Sequence, residues 1–118
     1  MFITLELVSN VSKHVALQSN QNGLWQPAQN INTLIGVTLE DAVQDPDTFK
    51  WYAPVCISGQ DVYLIADVDI PDEGGFLHIR NDGKAYVDNS TIGCGIVAPR
   101  NIGEPARTAG SLIFAHLR

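Results

Sequence analysis

Charge is scarce in this chain. Only 17% of its 118 residues are charged, against roughly 25% in an average soluble domain. The seven basic residues are scattered, at Lys13, Lys50, Arg80, Lys84, Arg100, Arg107 and Arg118, and the net charge is −6. No run of them can neutralise neighbouring phosphates or hold an anionic bilayer surface, so neither nucleic acid nor a membrane is expected as a partner. No apolar run approaches the ~20 residues that cross a bilayer. The start, Met1-Phe2-Ile3-Thr4-Leu5-Glu6, lacks the basic head and cleavage site of a secretory leader, and synthesis in a reducing cytoplasm is expected. Cysteine is equally sparse. Cys56 and Cys94 lie in apolar segments and read as small buried hydrophobes, with no disulfide expected.

Chemical motifs are missing too. His14, His78 and His116 fall on three different strand-like segments as half-exposed residues, without the paired spacing of a zinc site. Gly93-Cys94-Gly95 sits in an apolar strand, where a thiol is inert. The acidic group Asp67, Asp69, Asp72 and Glu73 is interrupted by Ile70-Pro71 and lacks the closing glutamate of a calcium loop, so it reads as a solvated strand end. Glu40 and Asp41 are chain neighbours and point to opposite sides of an extended backbone. Gly74-Gly75 does not open a phosphate loop. No catalytic residue, metal ligand or cofactor site is expected, and the chain does not read as an enzyme.

What the chain has is alternation and turns. Phe2 to Val8 places Ile3, Leu5 and Leu7 on one face, the period of two that marks a half-buried strand. A strand at 14–18, the turn Ser19-Asn20-Gln21-Asn22-Gly23, and a return arm at 24–28 follow. Thr33 to Leu39 reads as a strand whose Gly36 marks a bulge or close backbone approach. The segment 40–47 is expected to be a loop with one helical turn, and 49–57 a strand. Val62 to Ile70 is the clearest strand, with Val62, Leu64, Ala66, Val68 and Ile70 on one face. Asn81-Asp82-Gly83 joins two strands in a hairpin. Strands at 92–98 and 111–117 complete the set. The expectation is an all-β fold: a small barrel or sandwich of about ten short, mostly antiparallel strands in a single β domain, residues 1–118.

The order of elements recurs. A shift of 60 residues sets Val8 on Val68, Leu17 on Leu77 and Gly23 on Gly83, and a shift of 57 sets Ile35-Gly36 on Ile92-Gly93. Two similar halves, 1–58 and 59–118, related by a pseudo-two-fold and lending their apolar faces to a shared core, are therefore expected.

Binding residues are sought among exposed apolar groups. Trp25, Trp51 and Tyr52 are candidates for a binding face, because aromatics anchor interfaces and stack on sugars; each is also a good core residue. Met1, Phe2, Ile3, Thr4 and Leu5 form a candidate arm whose strand edge can pair with a partner's sheet.

Several segments together resemble a family of small tailed-phage head decoration proteins. They are Leu34-Ile35-Gly36-Val37-Thr38-Leu39-Glu40-Asp41-Ala42, the hairpin Gly75 to Ala85, and Ile92-Gly93-Cys94-Gly95-Ile96. The resemblance runs from about Lys13 onward, and its motifs are turns and strands without a chemical signature. It implies a compact β protein on the outer surface of a phage head, a homo-oligomer that binds the major capsid protein and cements neighbouring capsid subunits. The alternative is a carbohydrate- or receptor-binding β module of a virion fibre or spike, with Trp25, Trp51 and Tyr52 on one exposed strip.

Overall fold

The computed structural model describes residues 2–20, 22–29, 34–57 and 59–118. Among them the chain forms eleven strands: β1 (Phe2–Leu7), β2 (Ala16–Ser19), β3 (Trp25–Pro27), β4 (Leu34–Thr38), β5 (Val43–Gln44), β6 (Trp51–Ile57), β7 (Asp61–Ile65), β8 (Gly75–Arg80), β9 (Lys84–Val87), β10 (Gly95–Val97) and β11 (Leu112–Leu117). The fold is all-β. Strands β1-β3-β2-β4-β6 bond in that order and β6 returns to β1, closing a five-stranded barrel to which the short β5 is appended. The second sheet runs β7-β11-β10-β8-β9, antiparallel throughout, and a parallel bridge from Ala66 to Ala85 brings β9 back to the end of β7.

The two sheets follow one strand order, pairing by pairing. Leu17 faces Pro27 and Gly36, and Leu77 faces Val87 and Gly95. Gly36 faces Ile57 as Gly95 faces Leu117. The parallel contact of Leu7 with Trp25 has its counterpart in Ala66 with Ala85. Gly36 thus corresponds to Gly95, a shift of 59 residues, and not to Gly93. The reason is crowding. A Cβ on Gly36 would stand 2.4 Å from the Cys56 carbonyl oxygen, and one on Gly95 would stand 2.1 Å from that of His116, so both positions exclude a side chain. Both readings of Gly36 hold, since β2 shifts register between Leu17 and Gln18 directly across from it.

Alternation places the cores. Ile113, Ala115 and Leu117 of β11 point inward with Val62 and Leu64 of β7, while Leu112, Phe114 and His116 point out. The interior is two clusters, one inside the first barrel and one that draws on both halves. Leu7, Val11, Leu17, Ala42, Ala53 and Val55 fill the first barrel. The second cluster joins the interior of the second sheet to Ala16, Ala28, Val37 and Cys56, which face outward from the first barrel. The buried Thr38 is satisfied, its hydroxyl donating to the Ser12 carbonyl at 2.8 Å and accepting from the Val15 N–H at 3.0 Å.

A hairpin tip ties the halves together. Asn81, Asp82 and Gly83 all have positive φ (47°, 65° and 84°). The Gly83 N–H donates to the Ala28 carbonyl at 2.7 Å, its carbonyl accepts from the Ala16 N–H at 3.1 Å, and Asp82 bonds the Gln29 side chain.

Several segments depart from the sequence expectations. The stretch 40–47 contains β5, held by Tyr52 and Trp51, and the helical-type turn falls just after it, from the Phe49 N–H to the Asp45 carbonyl. The strand read at 62–70 ends at Ile65, and Val68 is 40% exposed. Past Ala66 the Asp67 N–H bonds Ala85 on β9 and the chain turns away from β11, which breaks the alternation. β10 begins only at Gly95, leaving Ile92 exposed and Gly93-Cys94 ahead of the strand. His14 lies in a turn, and His78 is buried on β8.

These close approaches rank the glycines. Gly36→Ala drives a methyl into backbone and is expected to cost about 2–3 kcal/mol. Gly23→Ala meets open space and incurs only its positive-φ strain, about 1 kcal/mol. Urea unfolding of both variants checks the order.

Candidate binding surface

The outward residues of the second sheet form cross-strand rows. Phe114 stands opposite Tyr63, Leu112 opposite Ile65, and His116 lies between Asp61 and Ile96, which in turn faces Phe76. The Tyr63 and Phe114 rings are tilted against each other with centroids 5.0 Å apart, and His14 meets Tyr63 edge-on at 6.1 Å. Exposed Tyr63, Ile96, Leu112 and Phe114 make this an apolar face of the kind that marks interaction sites.

The segment between β10 and β11 walls this face on one side. Arg100 grips Asp72 with two nitrogens, at 2.9 and 3.0 Å, and Arg107 donates to the carbonyls of Ala98 and Pro71. Asp69 accepts from the Ala109 N–H at 2.9 Å. Between this wall and Tyr63, Leu112 and Phe114 lies a groove of about 380 Å³, with Pro99, Pro105 and Ala106 opposite. A second hollow of about 320 Å³ lies over Phe76, Ile92, Ile96 and His116.

The acidic residues are divided among separate tasks. The guanidinium of Arg80, 2.8 Å away, holds the Asp67 carboxyl below the ordinary range, and Asn81 adds a second bond. Arg100 does the same for Asp72, and Asp72 raises Arg100 in return. Asp88 is lowered by the hydroxyl and N–H of Ser90. Among the described residues no group of His, Cys, Asp and Glu stands close enough to hold a metal ion.

The nucleophilic and imidazole groups are dispersed. Burial pushes the Cys94 thiol up to about 11, and its Sγ sits 3.5 Å from the Leu77 carbonyl. His78 turns Nε2 toward the carbonyls of Asp88 and Thr91, at 3.0 and 3.2 Å, and packs on Tyr86. Two acceptors require that nitrogen to carry the proton. His116 pairs with Asp61 at 2.7 Å on the open surface.

The candidate residues from the sequence fall in three places. β1 is hydrogen-bonded to β6 over its whole length, with Phe2 and Ile3 exposed and Thr4 and Leu5 continuing the strand; Met1 lies outside the described residues. Beyond that pairing β1 meets β3 only at Leu7, among the described residues. Trp25 and Trp51 both flank the buried Leu7 and pack, half-buried, on the first core. Tyr52 is the next residue along β6, opposite Glu6, and so faces the other way. The three aromatics do not form one exposed strip. Sequence reasoning missed Tyr63, Phe114 and Ile96. The available signal was that β11 is apolar on both faces, whereas only one is needed for its own core.

No family model matches the sequence, and no curated protein matches it. The fold is similar to a solved structure, the N base of head fiber gp8.5 in bacteriophage phi29, with a TM-score of 0.69 and 18% identity over 100% of this chain and 95% of that one. At that identity the likeness speaks to fold.

Two measurements probe these environments. A thiol pushed up to about 11 is almost wholly protonated near neutrality, so Cys94 should react with iodoacetamide far more slowly in the native protein than after unfolding. The lowered Asp67 carboxyl stabilises the fold above the ordinary aspartate value, and that contribution is lost as pH falls through its lowered value. Asp67→Asn should therefore lower the thermal midpoint at neutral pH, with the gap to the parent closing in strong acid.

Proposed function

We propose that the chain is a structural protein of a phage virion, seated on the outer surface of the head, where it binds the major capsid protein and cements neighbouring subunits. The observation that carries this is the shared fold along the entire chain with a protein named as the base of a phage head fiber. The head-decoration motifs in the sequence agree with it. The reading assigns the work to surface contacts, with no catalysis, nucleic acid or membrane, and it includes a homo-oligomer on the capsid surface.

The groove beside Tyr63, Leu112 and Phe114 is the face we assign to the capsid. It is apolar at its floor and polar at its wall, through Asn101, Glu104 and Arg107, the layout of a docking surface. The arm at Phe2 to Leu5, with the β1 edge not taken by β6, is a second partner-binding contact in this reading and serves the homo-oligomer.

Gradient-purified heads test the assignment. The chain should sediment with the major capsid band at fixed stoichiometry, and heads lacking it should lose DNA at lower temperature. Phe114→Asp should weaken rebinding to such heads by at least ~10-fold, as expected for an aromatic anchor. Sedimentation of the chain apart from heads would reject the proposal.

A further inference from the structure

Each half has a seam that opens on one side. In the first barrel β1 and β3 meet at Leu7 and Trp25, where the Val8 N–H also donates to Trp25. In the second, β7 and β9 meet at Ala66 and Ala85, where the Asp67 N–H donates to Ala85. Away from these bridges no further pairing joins the two strands, among the described residues.

The second seam is covered from within the chain. Val62 and Leu64 of β7 lie in one cluster with Ala16, Val37 and Cys56, and Val62 is 2% exposed. Those three form a single cross-strand row on the outside of the first barrel, because Val37 faces Cys56 on one side and Ala16 on the other. The row of one half thus caps the seam of the other.

Both parts of this contact recur uncovered. The counterparts of Val62 and Leu64 are Ile3 and Leu5, since Ile3 faces Val55 on β6 as Val62 faces Ala115 on β11. Ile3 is 41% exposed. The counterpart of the row is Phe76, Ile96 and His116, for Ile96 faces His116 and Phe76. Ile96 is 55% exposed, against 1% for Val37. Among the described residues the chain carries one free seam and one free row, the two halves of an interface it already makes once.

We propose that a second copy of this chain docks head to tail, its Phe76–Ile96–His116 row covering the seam residues Ile3 and Leu5 of the first. The tip contact of the internal junction is not repeated. The Phe76 N–H, counterpart of the Ala16 N–H that meets Gly83, is already taken by the Asn89 side chain at 2.9 Å. The contact between copies is therefore apolar and weaker than the one inside the chain. Being heterologous, it continues into a ring or filament when unopposed.

Light scattering of the full chain over about 1 µM to 1 mM, where weak association becomes visible, tests this. The parent's mean mass should rise above 12.8 kDa with concentration. Ile96→Asp alters an exposed residue and should hold the mass at that of one chain, as should Ile3→Asp. An equimolar mixture of the two variants restores one good contact, so it should roughly double in mass and stop at a pair. Leu112→Asp, in the groove at the other end of β11 from His116, should associate as the parent does, which separates this contact from the capsid groove. A parent mass constant over the range, an Ile96→Asp variant that associates like the parent, or a mixture that stays monomeric would each overturn the proposal.

Discussion

The packing of Ala16, Val37 and Cys56 against Val62 and Leu64 is the contact on which the rest of the molecule depends. It turns the outside of one barrel into the lining of the other. Small side chains make it possible, because alanine, valine and cysteine let one sheet approach another's interior without displacing its leucines. The Gly83 tip secures the same junction by backbone hydrogen bonds to Ala16 and Ala28, and a side chain at Gly83 would strike the Ala16 carbonyl at 2.5 Å. Steric fit and hydrogen bonding therefore select the same relative placement of the two halves.

That placement leaves the outer face of the second sheet free. Its charged residues hold a wall in position: Arg100 with Asp72, Asp69 with the Ala109 N–H, and Arg107 with two carbonyls. One exposed ion pair contributes little to stability, but with the hydrogen bonds of Asp69 and Arg107 it acts on one irregular segment and limits the shapes that segment can adopt. The groove has a hydrogen-bonded wall and an aromatic floor. The half-buried Cys94 thiol and the carbonyl-bound His78 are occupied with structure.

The hairpin at Asn81-Asp82-Gly83 was legible in the sequence because its turn chemistry is local: residues that tolerate positive φ stand between two alternating strands. β1 and β11 were legible for the same reason, and Gly36 was recognised as a point of close approach. β5 was not, because two residues carry no periodicity and are held as a strand only by Tyr52 and Trp51. The continuation of β7 through Val68 failed since alternation persists in the sequence after the partner strand has changed. His78 was read as half-exposed because the segment that covers it, around Asp88 to Thr91, is brought there by the β8–β9 hairpin.

The amino-acid order alone determined that this chain is built of short strands joined by glycine turns, since period-two alternation and positive-φ residues are properties of neighbours. The sequence sets Gly36 on Gly93, whereas the strand pairing matches it to Gly95. Only the tertiary structure decided which apolar faces are covered. Val37 and Ile96 occupy matching positions and look alike as strand residues, yet one is enclosed by the other half of the chain and one faces solvent. Burial depends on what arrives across space, and the chain has two halves but only one junction between them.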